Sequence, residues 1–544
     1  MPNQSNLFRL VNKPHRRLWA GALCGIGVWI ALSFSQKGLS DPPRESQEGC
    51  RAQVPHLDDR AYLRALSLDL RGTIPSLEEI RELKEGKKIS EFVEEWIQSE
   101  AFAKRAARYH RSLLWNNASN VRLVHFSQRL AEHRDNSGNV LFWYRPGGTE
   151  RRRPIGGPCK NEAGRLTEEG RAILDENGLD GWVEVHPYWD PDPNAKIRVC
   201  AIDAQTAPRS HLTGKDCATR ESEFDPGCGC GPNLIWCDTW AVHNTIIESF
   251  NREVEQRVQR LVQQNAPYTS LFSSRLGFVN GPIVHYLRHQ LRWYDSVPLL
   301  PSPYDLERLP NLQYHEIDRW EQVELPEQHA GVLTSPVYLM RFQTLRSRAA
   351  HFLESFLCAP LTPPDHLPVA DEIEQREPDV QKRAGCKYCH AILEPMGAYW
   401  GRWAQQGAGY LNPVEFPDFL PECQECARGR EACSERCRLH YLTRALSNEQ
   451  VPYLGMLRVF EFLRPEHRIH VMEGPMGIVR AGLADGRLTT CTVRRAAEWL
   501  LGRPIEASDA AFLQSYEKAF LESGLSFRSL VQAIVLSEPY RRVR

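Results

Sequence analysis

The feature that most constrains this chain is the pentapeptide Cys386-Lys387-Tyr388-Cys389-His390, set among sixteen cysteines in 544 residues. Two thiols three residues apart lie about one helical turn from each other, close enough to form thioethers to both vinyl groups on one edge of a haem. The histidine that follows falls beneath the iron and offers an imidazole as proximal ligand. Covalent attachment keeps the group from being lost to a dilute compartment. Random placement of 16 cysteines and 18 histidines yields such a pentapeptide roughly 0.02 times in a chain of this length. The competing reading is a disulfide or zinc knuckle in a cysteine-rich exported protein.

Covalent haem attachment requires export, and the N-terminus is built for it. Arg9, Lys13, Arg16 and Arg17 precede an uncharged run from Leu18 to Ser35. That run is short for a membrane span, so it reads as a cleaved signal peptide or a retained single-helix anchor. Either way the body is expected in the periplasm or cell envelope. The cysteine count agrees with an oxidising compartment. Setting aside Cys24 in the leader and the two motif cysteines leaves thirteen, an odd number, so one thiol is left over. Lys plus Arg total 67 against 68 Asp plus Glu, a balance that gives no sign of a nucleic-acid binder. Membrane contact is expected only through the N-terminal segment.

The fold class expected from the pattern is mainly α, with multi-helical domains and a disulfide-rich β-containing insertion. Residues 1–35 form the leader or anchor, and 36–120 an N-terminal helical domain whose apolar spacing runs from His56 to Trp115, with Ser76 as an N-cap. Residues 121–240 form the insertion, carrying short β-like runs and Cys159, Cys200, Cys217, Cys228, Cys230 and Cys237 as disulfide candidates. Within it, two strands flank Asp190-Pro191-Asp192-Pro193-Asn194, a hairpin signal whose aspartates serve a turn in preference to calcium. Residues 241–365 form a central helical domain with periodicity over Val242 to Gln264, Val279 to Trp293 and Ser335 to Cys358. Residues 366–445 hold the cytochrome c-like segment and a second cysteine cluster, and 446–544 a C-terminal helical domain. Its helices are expected near Asn448–Leu463, Thr492–Leu501, Asp509–Leu521 and Ser526–Leu536.

The second cluster, Cys423, Cys426, Cys433 and Cys437, has spacing suited to zinc or an iron–sulfur centre, but in an exported chain two disulfides are the expected outcome. Cys358 and Cys491 are a further possible pair. For a distal haem ligand, Met476 or Met472 on a remote segment is expected, with His467 and His470 beside them; Met396 is too near the motif to reach the opposite face easily. Arg402 is a candidate partner for a haem propionate, and Trp400 and Trp403 for lining the group. No hydrolase elbow, P-loop, H-E-x-x-H or dinucleotide fingerprint occurs in suitable context.

Several stretches together resemble the planctomycete-type cytochrome c-like proteins, in the branch found in myxobacteria. They are LRALSLDLRGTIPSLEEIRELKEG with VEEWIQSEAFAKRAARYH, YTSLFSSRLGFVNGPIVHYL, AGVLTSPVYLMRFQTLRSRAAHFLESFLCAPLTPP, GCKYCHAILEPMGAYWGRW, and CTVRRAAEWLLGRPIEASDAAFLQSYEKAFLESGLSFRSLVQAIVLSEPYRR. The resemblance implies one covalent haem c at Cys386, Cys389 and His390. Where that family commonly reads aspartate-proline-leucine-glycine after the motif, this chain has Glu394-Pro395-Met396-Gly397.

Function expected from these features is envelope electron transfer by a mono-haem c-type cytochrome-like protein, with redox proteins as partners. The alternatives are a disulfide-stapled envelope structural or interaction protein, and a haem peroxidase-like enzyme, which would need an open distal position and an acid/base group nearby.

Overall fold

Amphipathic spacing and capping residues set the N-terminal helices. The computed structural model describes residues 56–295, 298–362, 376–429, 431–461 and 467–542, so the leader, with Cys24, lies outside the described residues. Helices α1 (Asp59–Arg71), α2 (Leu77–Lys84), α3 (Ile89–Ile97) and α4 (Glu100–Leu114) follow one another through short turns. Ser76 caps α2 in a reciprocal box with Glu79, as its position in the sequence predicts. The long helix α5 (Trp240–Gln263) lies along α4 and presents Ile246, Phe250, Val254 and Val258 to the core. That core is continuous from Tyr62 to Tyr540 and takes side chains from α1, α3, α4 and α5.

The expected insertion is present as a four-stranded sheet. Strands β1 (Ala131–Arg134), β2 (Val140–Tyr144), β3 (Trp182–Val185) and β4 (Ile197–Cys200) are ordered β1-β2-β4-β3. β3 and β4 pair antiparallel, Val185 opposite Ile197, across the turn at Asp190–Asn194, where the Asp190 and Asp192 carboxylates accept backbone N–H groups within the turn. Those oxygens are spent on the turn, in keeping with the turn reading. Disulfides Cys159–Cys200, Cys217–Cys228 and Cys230–Cys237 staple the segment. At its centre Asp203 accepts from Arg145 Nε and Arg153 Nη2, both at 2.8 Å, and Arg153 also pairs with Asp180. All four side chains are fully buried. Burial alone would raise the Asp203 pKa, but Arg153, Arg145 and Arg152 outweigh it and hold the carboxyl well below the usual range.

Three helical expectations are corrected. Val279 does not begin a helix: it ends a strand, β5 (Leu276–Val279), paired antiparallel with β6 (Glu321–Glu324), and a short helix starts only at Gly281 behind the Asn280 cap. The run from Ser335 to Cys358 breaks at Phe342–Thr344 into Pro336–Arg341 and α6 (Leu345–Phe356), because Thr344 caps a new start. Asn448–Leu463 yields only short 3-10 turns within its described part, where Pro452 removes a donor and Gly455 sits at φ 84°. The motif helix α7 (Lys387–Gly397) is followed by α8 (Arg468–Glu473) and α9 (Pro475–Ala484), which the expected pattern omits, while α10 (Arg487–Leu501), α11 (Ala510–Glu522) and α12 (Phe527–Val535) fall where periodicity puts them. Cys358, just past α6, is bonded to Cys491 of α10. Among the described residues no helix is long and apolar enough to cross a membrane.

Two measurements test this architecture. The Cys358–Cys491 bridge closes a separation of 133 residues, so the Cys358→Ser/Cys491→Ser variant should lose roughly 4 kcal/mol of unfolding free energy, read as a lower denaturant midpoint with a steeper slope, because the unfolded chain without the bridge exposes more surface. Burial holds the His110 and His329 imidazoles down at about 4. The unfolded chain therefore binds more protons than the folded one between that value and the ordinary histidine pKa, and stability is complete above about pH 6.5 and falls as pH drops towards 4, by up to roughly 3 kcal/mol per histidine. Chemical unfolding at pH 7 and pH 4.5 should show the loss, and His110→Gln should shrink the difference.

Candidate functional site

The pentapeptide forms the first turn of α7. Cys386 precedes the helix, Cys389 and His390 donate their backbone N–H groups to the Cys386 carbonyl, and both thiols are half-buried. Among the described residues these are the two cysteines outside disulfides; the other twelve pair. By subtraction the odd thiol expected from the sequence is Cys50, which lies outside the described residues.

His390 is held from one side. Its Nδ1 lies 2.7 Å from Glu394 Oε1, one turn further along α7, and the same oxygen accepts from Arg346 Nε of α6 at 2.6 Å. Glu394 is 12% exposed at its side chain, so the carboxylate is shielded and paired. Hydrogen bonding to Glu394 puts a proton on Nδ1 and leaves Nε2 with its lone pair, the arrangement in which an imidazole ligates a metal while a carboxylate orients it. Glu394 stands at a legible i+4 spacing from His390, whereas Arg346 is 48 residues away and no local signal marks it.

α7 lies along α6 and approaches it at Gly397, where a Cβ would stand 3.1 Å from Leu345 Cβ. A buried cation fixes the strand of chain beyond. Arg348 of α6 donates to four carbonyls, those of Phe342, Trp403, Ala404 and Gly407, at 2.8 to 3.0 Å. Beside the Arg346–Glu394 contact opens a cleft of about 370 Å³, lined in part by Arg346, Glu394, Arg444, Arg458 and Glu461. Burial pushes the Glu461 carboxyl up against the pull of Arg346 and Arg458.

The remaining sequence-derived candidates are distributed as follows. Arg402, expected at a propionate, is engaged with Asp418 and the Phe416 carbonyl, and Asp418 is also bonded to Arg468 at 2.8 Å. Trp400 and Trp403 point into the core, Trp400 donating to the Leu333 carbonyl at 2.9 Å, because their rings serve packing against α6 and its neighbours. The segment with His467, His470, Met472 and Met476 does fold onto the motif region: His470 stacks on Tyr399 and donates from Nδ1 to the Pro395 carbonyl at 3.0 Å. Met472 is exposed, and Met476 and Met396 pack against the main core. Cys423–Cys437 and Cys426–Cys433 form two disulfides in a smaller core of their own.

A family model described as a protein of unknown function (DUF1585) matches residues 479–540, from within α9 to beyond α12. This stretch overlaps the C-terminal segment whose resemblance the sequence carries. No curated protein and no solved structure matches the chain. The six disulfides mark a fold that matures in an oxidising, extracytoplasmic environment.

Proposed function

We propose that this protein is an exported mono-haem cytochrome-like electron carrier, with haem c joined to Cys386 and Cys389 and His390 as the proximal ligand. The observation that carries the reading is the selective sparing of two thiols. Twelve cysteines are consumed in bridges, yet the two that lie one turn apart and precede a histidine stay unpaired. A framework of disulfides alone gives no reason to leave that pair out; two thioethers do. The donor set also fits the group, since His390 keeps Nε2 free while Glu394 fixes its ring.

When bound, the haem supplies an iron that cycles between ferric and ferrous forms. The residues here attach it, orient the imidazole and set how electron-rich that imidazole is. An oxidising compartment and a single attachment motif favour electron transfer over peroxidase chemistry. The cytochrome c-like family identity belongs to this proposal and rests on the attachment motif and the resemblance carried by the sequence; the match at residues 479–540 is to a family of unknown function.

The test is a pyridine haemochrome spectrum of the chain matured in a periplasm with haem-attachment machinery, beside a Cys386→Ala/Cys389→Ala variant. A thioether-type α band in the first that is absent from the second is the expected result. A colourless wild-type protein with both thiols oxidised would sink the proposal and leave a disulfide-stapled envelope interaction protein. In the haem-loaded chain, Glu394→Gln should raise the reduction potential by roughly 60 mV, the one-electron equivalent of a tenfold effect, because a neutral acceptor makes the imidazole a weaker donor to ferric iron. Potentiometric titration of both proteins reads it, and equal potentials would remove Glu394 from that role.

A further inference from the structure

A second group of imidazoles lies away from the motif helix, in a cleft of about 380 Å³ between the disulfide-rich insertion and the helical core. His186 comes from the insertion, just after β3, while His285, His289 and His315 come from the helical side. The backbone between them is unusual. The short helix Gly281–His285 continues into a π-helical turn, Tyr286–Gln290. Such widened turns are rare and concentrate at functional sites. In a 3.6-residue helix, positions i and i+4 are offset around the axis, whereas a wider turn brings them closer to eclipsed. His285 and His289 have that spacing, and their ring centroids are 5.0 Å apart.

The protein also settles which nitrogen each ring offers. His285 Nε2 donates to the Ile235 carbonyl at 3.2 Å, and His186 Nδ1 donates to the Ala195 carbonyl at 3.0 Å. One nitrogen of each ring is therefore tied to a carbonyl and the other, Nδ1 of His285 and Nε2 of His186, keeps its lone pair. A backbone carbonyl on the non-ligating nitrogen is the usual support of a metal-binding histidine. His285 is further clamped by Tyr188, stacked at 3.6 Å, with Tyr314 edge-on to both rings. His289 makes no hydrogen bond among the described residues.

We propose that this cleft binds one borderline divalent transition ion, of the zinc or copper type, through His285 and His289, with His186 of the insertion closing the site from across the cleft. All-imidazole donors suit such ions and not calcium or magnesium, which want oxygen. Elsewhere among the described residues, three donors gather within 4.8 Å at Cys159, Asp180 and Cys200 and at Glu422, Cys423 and Cys437, but in each trio both sulfurs are spent in a disulfide. The histidine cleft keeps its donors unspent and more widely set, so the ion is held by the pair on the π turn and draws His186 inward. An ion there cross-links the insertion to the helical body. It is independent of haem attachment at Cys386 and Cys389.

The experiment is equilibrium dialysis of the mature full-length chain against Zn²⁺ and, separately, Cu²⁺, with bound metal counted by elemental mass spectrometry. One ion per chain is expected, lost in His289→Gln and weakened in His186→Gln, while thermal unfolding without metal shows both variants folded. His289 is only half-buried, which makes it the safer change than the stacked His285. The Cu²⁺ form of the Cys386→Ala/Cys389→Ala chain, free of thiol and haem signals, should show nitrogen hyperfine structure in its electron paramagnetic resonance spectrum. No retained ion in the wild type, or equal retention in His289→Gln, would overturn the assignment, whatever the haemochrome result.

Discussion

The motif helix owes its position to one buried cation. Arg348 has no carboxylate partner among its hydrogen bonds; its guanidinium is satisfied by four backbone carbonyls, three of them from the chain that leaves α7. A charge taken so far from water is costly unless every donor is directed, and the planar fork of an arginine can direct several at once. Replacing it would leave four carbonyls unsatisfied and the turn after Trp400 without its anchor. With that turn fixed, α7 lies against α6 at Gly397, and Arg346, two residues before Arg348, is delivered to Glu394. The orientation of His390 is thus the last step of a sequence that starts from a buried ion on a neighbouring helix.

The insertion solves a different problem. Its strands are four or five residues long and its apolar clusters, around Val199 and Phe142, are small, so burial of hydrocarbon cannot hold it alone. Three disulfides restrict its unfolded states, and the Asp203 centre adds a buried ion-paired cluster to the apolar ones. Removing Arg153 would take a partner from both Asp180 and Asp203 in a buried site, which is why such a centre specifies one arrangement of loops that local propensity leaves open. The ladder from β3 to β4 then sets His186 at the rim of the cleft it shares with the π turn.

Much of this was legible before any coordinates. Helices α1 to α5 and α10 to α12 follow apolar periodicity and caps, and the hairpin around Asp190 follows its turn residues. Misread stretches were those where one residue overrides a pattern: Asn280 capping a late start, Thr344 splitting a long apolar run, Pro452 and Gly455 emptying a periodic segment. At the site, Cys386, Cys389 and His390 announce themselves by spacing, and Glu394 by its distance from His390 along a helix. Arg346 and Arg348 do not, because charged residues on an amphipathic helix read as solvent-facing until the partner helix is known to cover them. Trp400 and Trp403 invert the same error: proximity in sequence to the motif suggested haem-lining rings, but a helix turns successive residues to different faces, and theirs is the core.

The segment matched by the family model bears on the motif helix mechanically. α10 carries Cys491, whose bridge to Cys358 ties it to the end of α6, the helix that supplies both Arg346 and Arg348. α8, just ahead of the matched residues, places His470 against Pro395 and Tyr399, so the far end of α7 is bonded to the C-terminal part as well. A proline inside α7 leaves the Ala391 carbonyl without its helical donor, while the carbonyl of Pro395 itself is taken up by His470. Helix α7 is therefore braced over its C-terminal half, through α6 at Glu394 and through α8 at Pro395, while the two thiols at its start stay half-exposed. A rigid helix with an accessible first turn is what covalent attachment from outside requires: the machinery must reach the sulfurs, and the imidazole must already face the position that the iron will take.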